Sequence, residues 1–325
     1  MEQLNVGDVT AILRDELVGD SGGSLTVRGP IHVLEYSTIY QADCSRFEFP
    51  LAVKVCKDPA TGRIDRATAK SQFLALDRVG SKMTSVDYGL PRTVSLIEDQ
   101  AMLVTEWICG DSLTNLLFRQ RTSAAAMREL LGRAGTWIRL FHSGHRLPPA
   151  RLDVSEKIVL LHEARNRSDL HNDYATRAAA LLESSAARAA AENLRRSWTH
   201  GDFKTDNLLV AGRRLVGLDV HVIHEGAVQY DVAAFLNRLQ MTLFDPRAWR
   251  LARHYPSFEE AFVQESLREE GTETALPLAW IRLYMILCSW MGQQSRRTGW
   301  VRKAYLERCF RRLTKRLTNG LRRLM

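Results

Sequence analysis

The sequence predicts an α+β protein of two lobes: a small mixed-sheet N-terminal lobe, residues 1–107, and a larger, mainly helical C-terminal lobe, residues 108–325. Three observations carry this. A chain of 325 residues is longer than one hydrophobic core usually supports. Between Ser24 and Cys56 the apolar residues fall in short β-type runs, SLTV, STIYQAD and PLAVKVC. Beyond Gly110 they fall at helical spacing in long Ala-, Leu- and Glu-rich segments.

Residues 8–18, DVTAILRDELV, read as an opening helix with Asp8 at its cap, broken by Gly19–Gly23. The three β runs follow. The last contains Lys54 in Ala52-Val53-Lys54-Val55, and a Lys among apolar neighbours on a strand is costly to bury unless it meets an anion. Ile64–Val79 reads as a helix with apolar positions at Ala67, Phe73, Leu74 and Leu76. Met102–Ile108 is an apolar strand that runs into Cys109-Gly110-Asp111-Ser112-Leu113. Ala124–His142 is a helix, Pro148-Pro149 break the chain, and Val154–Arg167 and Tyr174–Arg196 are helices with i,i+4 charge pairs. Residues 232–325 read as all-helical. Their most apolar part, Leu276–Met291, is short for a membrane span and interrupted by Arg282, so it reads as a buried helix.

One stretch organises the chemistry: residues 199–220, THGDFKTDNLLVAGRRLVGLDV. Asp202 is followed five residues on by Asn207. Leu208–Val210 is a short strand, Gly212 with its two arginines is a turn, and a second strand, Leu215–Leu218, ends at Asp219. This pattern suits phosphoryl transfer, whose transition state spreads negative charge over equatorial oxygens that a protein positions and neutralises. One carboxylate orients the acceptor hydroxyl. A carboxamide and a second carboxylate offer the oxygen ligands that Mg²⁺ requires.

The pattern H-G-D-x-x-x-x-N followed by a strand-end Asp resembles the catalytic loop of aminoglycoside phosphotransferases, choline kinases and related kinase-like enzymes. The resemblance implies a two-lobed, protein-kinase-like fold. It implies Asp202 as catalytic base, Asn207 and Asp219 as Mg²⁺ ligands, and Lys204 beside the transferred phosphate. It makes Lys54 the lysine of the third N-lobe strand, facing the phosphates of ATP. The nucleotide loop then falls between the first two strands. No G-x-G-x-x-G stands there; Gly29-Pro30 is followed by IHVLEYSTIY, where Ser37 and Thr38 offer hydroxyls and N–H groups to phosphate. The helix over 64–79 carries Gln72 where the family has the Glu that pairs with the strand lysine, a departure: either Gln72 does a weaker version of that job, hydrogen-bonding the ammonium without neutralising it, or another acid does it. The segment at Glu106–Ile108 resembles the hinge whose backbone reads the adenine edge. His142 is expected to be a packing or hydrogen-bonding residue rather than a catalyst, and Asp231 to brace the catalytic loop. The H-x-x-H-E spacing of His221, His224 and Glu225 is expected to be a loop, since Mg²⁺ does not favour imidazole.

Only eleven residues separate Asp219 from Asp231, too few for the peptide-binding activation segment of a protein kinase, and no A-P-E follows. The expected function is ATP- and Mg²⁺-dependent transfer of the γ-phosphate to a hydroxyl of a small molecule, a sugar or glycan, or a lipid headgroup. Two alternatives stand beside it: a nucleotide-binding scaffold with little catalysis, suggested by Gln72, and a kinase-like enzyme acting on protein. Outside Glu259-Glu260 and Glu269-Glu270 the C-terminal third has no acidic cluster to suit a polycationic antibiotic.

The net charge of +8 belongs to the tail: residues 296–325 hold eleven Lys and Arg against one acid, Glu307. Residues 301–325 read as an amphipathic helix with apolar positions at Leu306, Phe310, Leu313, Leu317, Leu321 and Leu324. Such a helix either lies on an anionic membrane surface or packs its stripe on the lobe and leaves a solvated basic face. No nucleic acid partner is expected, because aromatics are not interleaved with the basic residues. Five scattered cysteines without a C-x-x-C pair argue for a reducing compartment. With early acids and no apolar signal core at the N-terminus, the expected location is cytoplasmic, with the inner membrane face as a peripheral site.

Overall fold

The computed structural model describes residues 4–19, 22–83, 85–166, 173–220, 224–270, 274–294 and 300–325. The chain forms two compact units. The first is Met1–Asp111 with Leu209–Val222; the second is Ser112–Leu208 with Ile223–Met325.

The first unit opens with helix α1 (Val6–Leu13). Its cap is Asn5, not Asp8. The Asn5 side chain accepts from the N–H groups of Gly7 and Asp8, while the Asp8 carboxylate accepts from the Asn5 N–H at 2.9 Å. Asp8 is thus the returning half of a capping box. A π-helical turn, Arg14–Val18, follows. Strands β1 (Leu25–Val33), β2 (Ser37–Cys44) and β3 (Leu51–Cys56) lead to helix α2 (Arg66–Gly80), then β4 (Tyr88–Gly89), β5 (Thr93–Ile97) and β6 (Met102–Glu106). The main sheet has the order β1-β2-β3-β6-β5 and is antiparallel at every described pairing. β1 shifts register between Arg28 and His32.

Alternation along β3 decides the site. Leu51, Val53 and Val55 are buried in a core shared with Val9, Leu13, Tyr40 and Val104. Because side chains alternate, Ala52 and Lys54 occupy the opposite face. Register sets Ile39 and Leu103 beside Lys54, and Thr105 beside Ala52.

After β7 (Asp111–Ser112), the second unit is mainly helical: α3 (Leu113–Phe118), α4 (Ala124–Ser143), α5 (Val154–Asn166), α6 (Asp173–Ala189), α7 (Gln229–Leu243), α8 (Trp249–Ala252), α9 (Tyr255–Ser266), α10 (Ala275–Gln294) and α11 (Trp300–Leu324). Helices α4 and α9 meet at Gly135, where a Cβ would stand 2.4 Å from the Phe262 carbonyl oxygen, so only glycine permits the approach.

Two expectations fail here. Residues 146–151, with Pro148-Pro149, form strand β8 (Arg146–Arg151) rather than a break, and residues 193–199 form strand β9 (Asn193–Thr199) rather than the end of a helix that stops at Ala189. β8 is an edge strand of a three-stranded antiparallel sheet, and its prolines fall at a register shift between Leu147 and Ala150. An edge and a bulge are where a strand tolerates proline.

The segment between the two parts of the second unit holds β10 (Leu208–Ala211), a turn at Gly212 with φ 59°, and β11 (Arg214–Gly217), whose parallel pairing sets Leu215 against Tyr88 and Val216 against Gly89. The third strand of the β8–β9 sheet is β12 (His224–Ala227).

Helix α10 is longer than expected. Its stretch Ala275–Gln293 is long and apolar enough to cross a membrane by length and composition, yet 56% of it is buried inside the protein. At its middle Arg282 is buried, donating to the Tyr255 hydroxyl at 2.8 Å, to Gln240 and Asn237 side chains at 3.2 Å, and to Glu259. A buried guanidinium satisfied in this way holds α7, α9 and α10 in one register.

Candidate active site

In the first unit a pocket opens on the Lys54 face of the sheet. Its walls are apolar, with Ile39, Leu76, Leu103, Leu209 and Leu218, and its polar lining includes Lys54, Gln72, Thr105, Glu106 and Asp219. The Lys54 ammonium meets the Asp219 carboxylate at 2.6 Å, its side chain only 14% exposed. The acid that neutralises the strand lysine is therefore Asp219. Gln72, buried on α2, lines the same pocket. Asp219 has φ 55°, a left-handed conformation that Asp adopts more readily than most residues. Backbone held in so sparse a region is characteristic of functional sites.

The segment Glu106–Ile108 also lines this pocket. The Glu106 N–H donates to the Arg92 carbonyl at 2.9 Å and the Trp107 N–H to the Pro50 carbonyl at 2.7 Å. The Ile108 N–H makes no hydrogen bond among the described residues. The Glu106 carbonyl accepts from the Thr105 hydroxyl at 3.5 Å. The Glu106 side chain has a different task. Its carboxylate accepts from Arg214 Nη1 at 3.1 Å, and Arg214 Nη2 reaches the Leu90 carbonyl at 3.0 Å. Ser37 does not reach the pocket. It is buried at the start of β2, paired with Cys56, and its carbonyl closes the β1–β2 turn by accepting the Leu34 N–H at 2.8 Å. His32 on β1 lines the pocket and gave no sign of this in the sequence.

In the second unit Asp202, Lys204 and Asn207 share one loop. Asp202 Oδ2 accepts from Lys204 Nζ and, at 3.1 Å, from Asn207 Nδ2, which also donates to the Asp202 carbonyl at 2.9 Å. The Asn207 amide therefore presents Oδ1 as its remaining ligand. Beneath the loop, Asp231 accepts from the backbone N–H groups of His200 at 2.8 Å and Gly201 at 3.2 Å, and pairs with buried His142 Nε2 at 2.9 Å. His142 and Asp231 are both structural, as expected. Phe203 anchors the loop in an aromatic stack, its ring 5.5 Å from Trp137 and 5.0 Å from Phe235. Two further braces escaped the sequence reading: Arg238 to Asp206 at 2.8 Å, and a buried hydroxyl pair, Thr114 with Thr205, at 2.7 Å.

Among the described residues no three His, Cys, Asp or Glu side chains gather to hold a metal. His221 lies outside the described residues, and Glu225 pairs with His145 at 3.3 Å. Asp219, in the first unit, and Asn207, in the second, each offer an oxygen donor of the kind Mg²⁺ takes, an ion that binds few protein groups and completes its shell with water and phosphate.

Among curated proteins no match to the chain is found. Solved structures do resemble it. A choline/ethanolamine kinase family protein from Mesorhizobium loti superposes with a TM-score of 0.62 at 16% identity, over 97% of this chain and 98% of that one. Choline kinase LicA from Streptococcus pneumoniae gives 0.59 at 14% identity, over 96% and 98%. Amicoumacin kinase hAmiN, solved with AMP-PNP, Ca²⁺ and Ami, gives 0.56 at 11% identity, over 90% and 88%. At such identities the likeness is one of fold, and the fold is the α+β, protein-kinase-like one. The profile of the phosphotransferase enzyme family matches residues 45–265, which hold Lys54, the Asp202–Asn207 loop and Asp219. A match over more than half of the sequence, on this fold, settles the class: the chain belongs to the phosphotransferase enzyme family and is a kinase acting on a hydroxyl group.

Proposed function

We propose that the chain transfers the γ-phosphate of ATP, with Mg²⁺, to a hydroxyl of a small molecule, a sugar or glycan, or a lipid headgroup. The observation that carries this reading is the state of Asp202. Its Oδ2 is held by Lys204 and Asn207, while Oδ1 makes no hydrogen bond among the described residues. A carboxylate fixed at one oxygen and open at the other is the arrangement a general base needs. Asp202 Oδ1 accepts the proton of the acceptor hydroxyl as that oxygen attacks the γ-phosphorus and ADP leaves. Lys204 turns its ammonium to the charge on the transferred group. Lys54 holds the α- and β-phosphates, and the Glu106 carbonyl with the Ile108 N–H takes the adenine edge. Asn207 Oδ1 and Asp219 would hold Mg²⁺, which would supply neutralisation of phosphate charge.

The proposal includes a cytoplasmic location and peripheral contact of residues 301–325 with an anionic membrane face. Phe310, Leu313, Leu317 and Leu321 are buried, so any such contact uses the charged side of α11 and not insertion of its stripe.

The test is incubation with γ-labelled ATP and Mg²⁺ in cell extract, separated into metabolite, lipid-plus-glycan and protein fractions, with Asp202→Ala as control. Label in a non-protein fraction with the intact chain alone upholds the reading. Label in the protein fraction makes the acceptor a protein. No label anywhere, with ATP still bound, favours the scaffold.

A further inference from the structure

We propose that the second unit carries a separate anion site, for a phosphate group borne on an apolar body, at Arg312 and Arg316. These side chains stand one turn apart on α11 and line a cavity of about 340 Å³. The Arg312 guanidinium lies 4.7 Å from the Phe244 ring centroid and that of Arg316 lies 4.4 Å from Tyr255. Stacking on ring faces fixes a guanidinium plane while leaving its N–H donors unused. Neither arginine makes a hydrogen bond or ion pair among the described residues.

The cavity's acid does not answer them. Asp245 is held by Arg247 through three hydrogen bonds, each 2.9 Å, one from the backbone N–H and two from the guanidinium. At the cavity wall, buried Gln240 gives its Oε1 to Arg282, and its Nε2 has no acceptor. Trp249, 72% exposed, supplies an apolar wall. The cavity therefore offers two preorganised cations and flat apolar surface, with its one acid neutralised. Oxyanions bound by guanidinium forks fit such a site, and phosphate matches the fork bidentately. A volume of about 340 Å³ exceeds what a bare phosphate fills and matches one carrying a small apolar group.

The site is distinct from the catalytic loop. It gathers at the C-terminal end of α7, and Gln240 lies nine residues, roughly 13 Å of helix, beyond Asp231. It belongs to no part of the proposed transfer machinery.

The phosphate has two sources, a soluble phosphoester or a lipid headgroup. Phenyl phosphate is titrated against the full chain by tryptophan fluorescence, and vesicles of phosphatidylglycerol and of phosphatidylcholine are used in sedimentation. Arg312→Ala/Arg316→Ala is expected to lose binding at least tenfold. Arg322→Ala/Arg323→Ala removes the same charge from the same helix, away from the cavity, and is expected to stay within twofold. Arg312→Lys/Arg316→Lys, which keeps charge but loses the fork, is expected to fall between. Unchanged melting temperatures show that the loss is not unfolding. Binding of phenyl phosphate alone assigns a soluble ligand, and binding of phosphatidylglycerol alone assigns the headgroup; either upholds the site. Equal loss in both alanine pairs, or no binding of either probe by the full chain, overturns it.

Discussion

At Lys54 the sequence posed a question that the structure answers with one distance. A lysine with a 14% exposed side chain needs a counter-charge, and Asp219 supplies it at 2.6 Å. Gln72, which lines the same pocket, carries no charge, and the ammonium is neutralised by the residue proposed to hold Mg²⁺. Replacing Lys54 by Met takes the ammonium from Asp219, but that carboxylate is 38% exposed and stays hydrated. The expected outcome is a loss of about 10²–10³-fold in kcat/KM for ATP with the melting temperature little changed. Steady-state kinetics and a thermal melt check both halves. A collapse of stability with activity intact in the folded fraction would make the pair structural. That Asp202, Lys204 and Asn207 meet was legible because one short loop fixes their spacing. Which acid meets Lys54 was not legible, because Lys54 and Asp219 lie 165 positions apart in the chain and only folding joins them.

Elements tell the same story about range. Helices α2 and α4 were readable from local pattern, and caps sharpened their starts: Ser123 accepts from the Ala126 N–H, and Asp65 from the Thr68 N–H and hydroxyl. Strands β8, β9 and β12 were not, because the pairing that makes them strands is with one another across long separations, and their own residues, prolines and arginines included, have weak β preference. The Asp65 cap carries a pH prediction. Hydrogen bonds from Thr68 hold its carboxyl below the ordinary value. A depressed folded-state pKa gives stability that is present above the unfolded value, near 3.9, and is lost as pH falls through the folded value. Asp65→Asn keeps the cap and removes the titration. It should match the parent at pH 7 and lose less on acidification, as read from urea midpoints at pH 7 and pH 3. Parallel losses in the two proteins would remove Asp65 from the acid response.

A second element-scale prediction concerns β11. Arg214 ties this strand to the Glu106 carboxylate and to the Leu90 carbonyl, and Asp219 follows five residues on. Glu106 is 13% exposed at its side chain, so loss of Arg214 leaves a largely buried carboxylate with only Arg92 among the described residues, through its N–H at 3.3 Å and its guanidinium at 3.9 Å. Arg214→Ala should loosen the segment proposed to bind adenine, raising KM for ATP about tenfold or more with a smaller change in kcat. Arg214→Lys should restore part of it. A fall in kcat alone would place the effect at the reacting groups instead.

On the scale of the whole chain, the basic tail is the feature whose meaning composition left open between a membrane surface and a packed helix. The stripe of α11 is docked: Phe310, Leu313, Leu317 and Leu321 are buried, Trp290 of α10 donates to Glu307 at 2.6 Å, and Arg188 of α6 donates to the carbonyl of Met325. The apolar stripe is thus part of the fold of the second unit, and the basic side chains are left on the face turned away from it, the face to which the proposed anionic contacts belong. At about 1.5–3 kcal/mol for each fully buried large apolar side chain, the four stripe residues contribute roughly 6–12 kcal/mol, as an upper estimate. That rivals the 5–15 kcal/mol or so that separates a folded domain from its unfolded chain. Ending the chain at residue 300 should therefore abolish the cooperative melt of the second unit, leaving soluble protein only in traces and exposing Trp290 to quenchers. Neutralising the solvated face, by Arg322→Gln and Arg323→Gln, should leave the melt in place. A truncated chain that melts cooperatively at the parent temperature would make α11 an appendage, and its basic face would then need a partner to explain it.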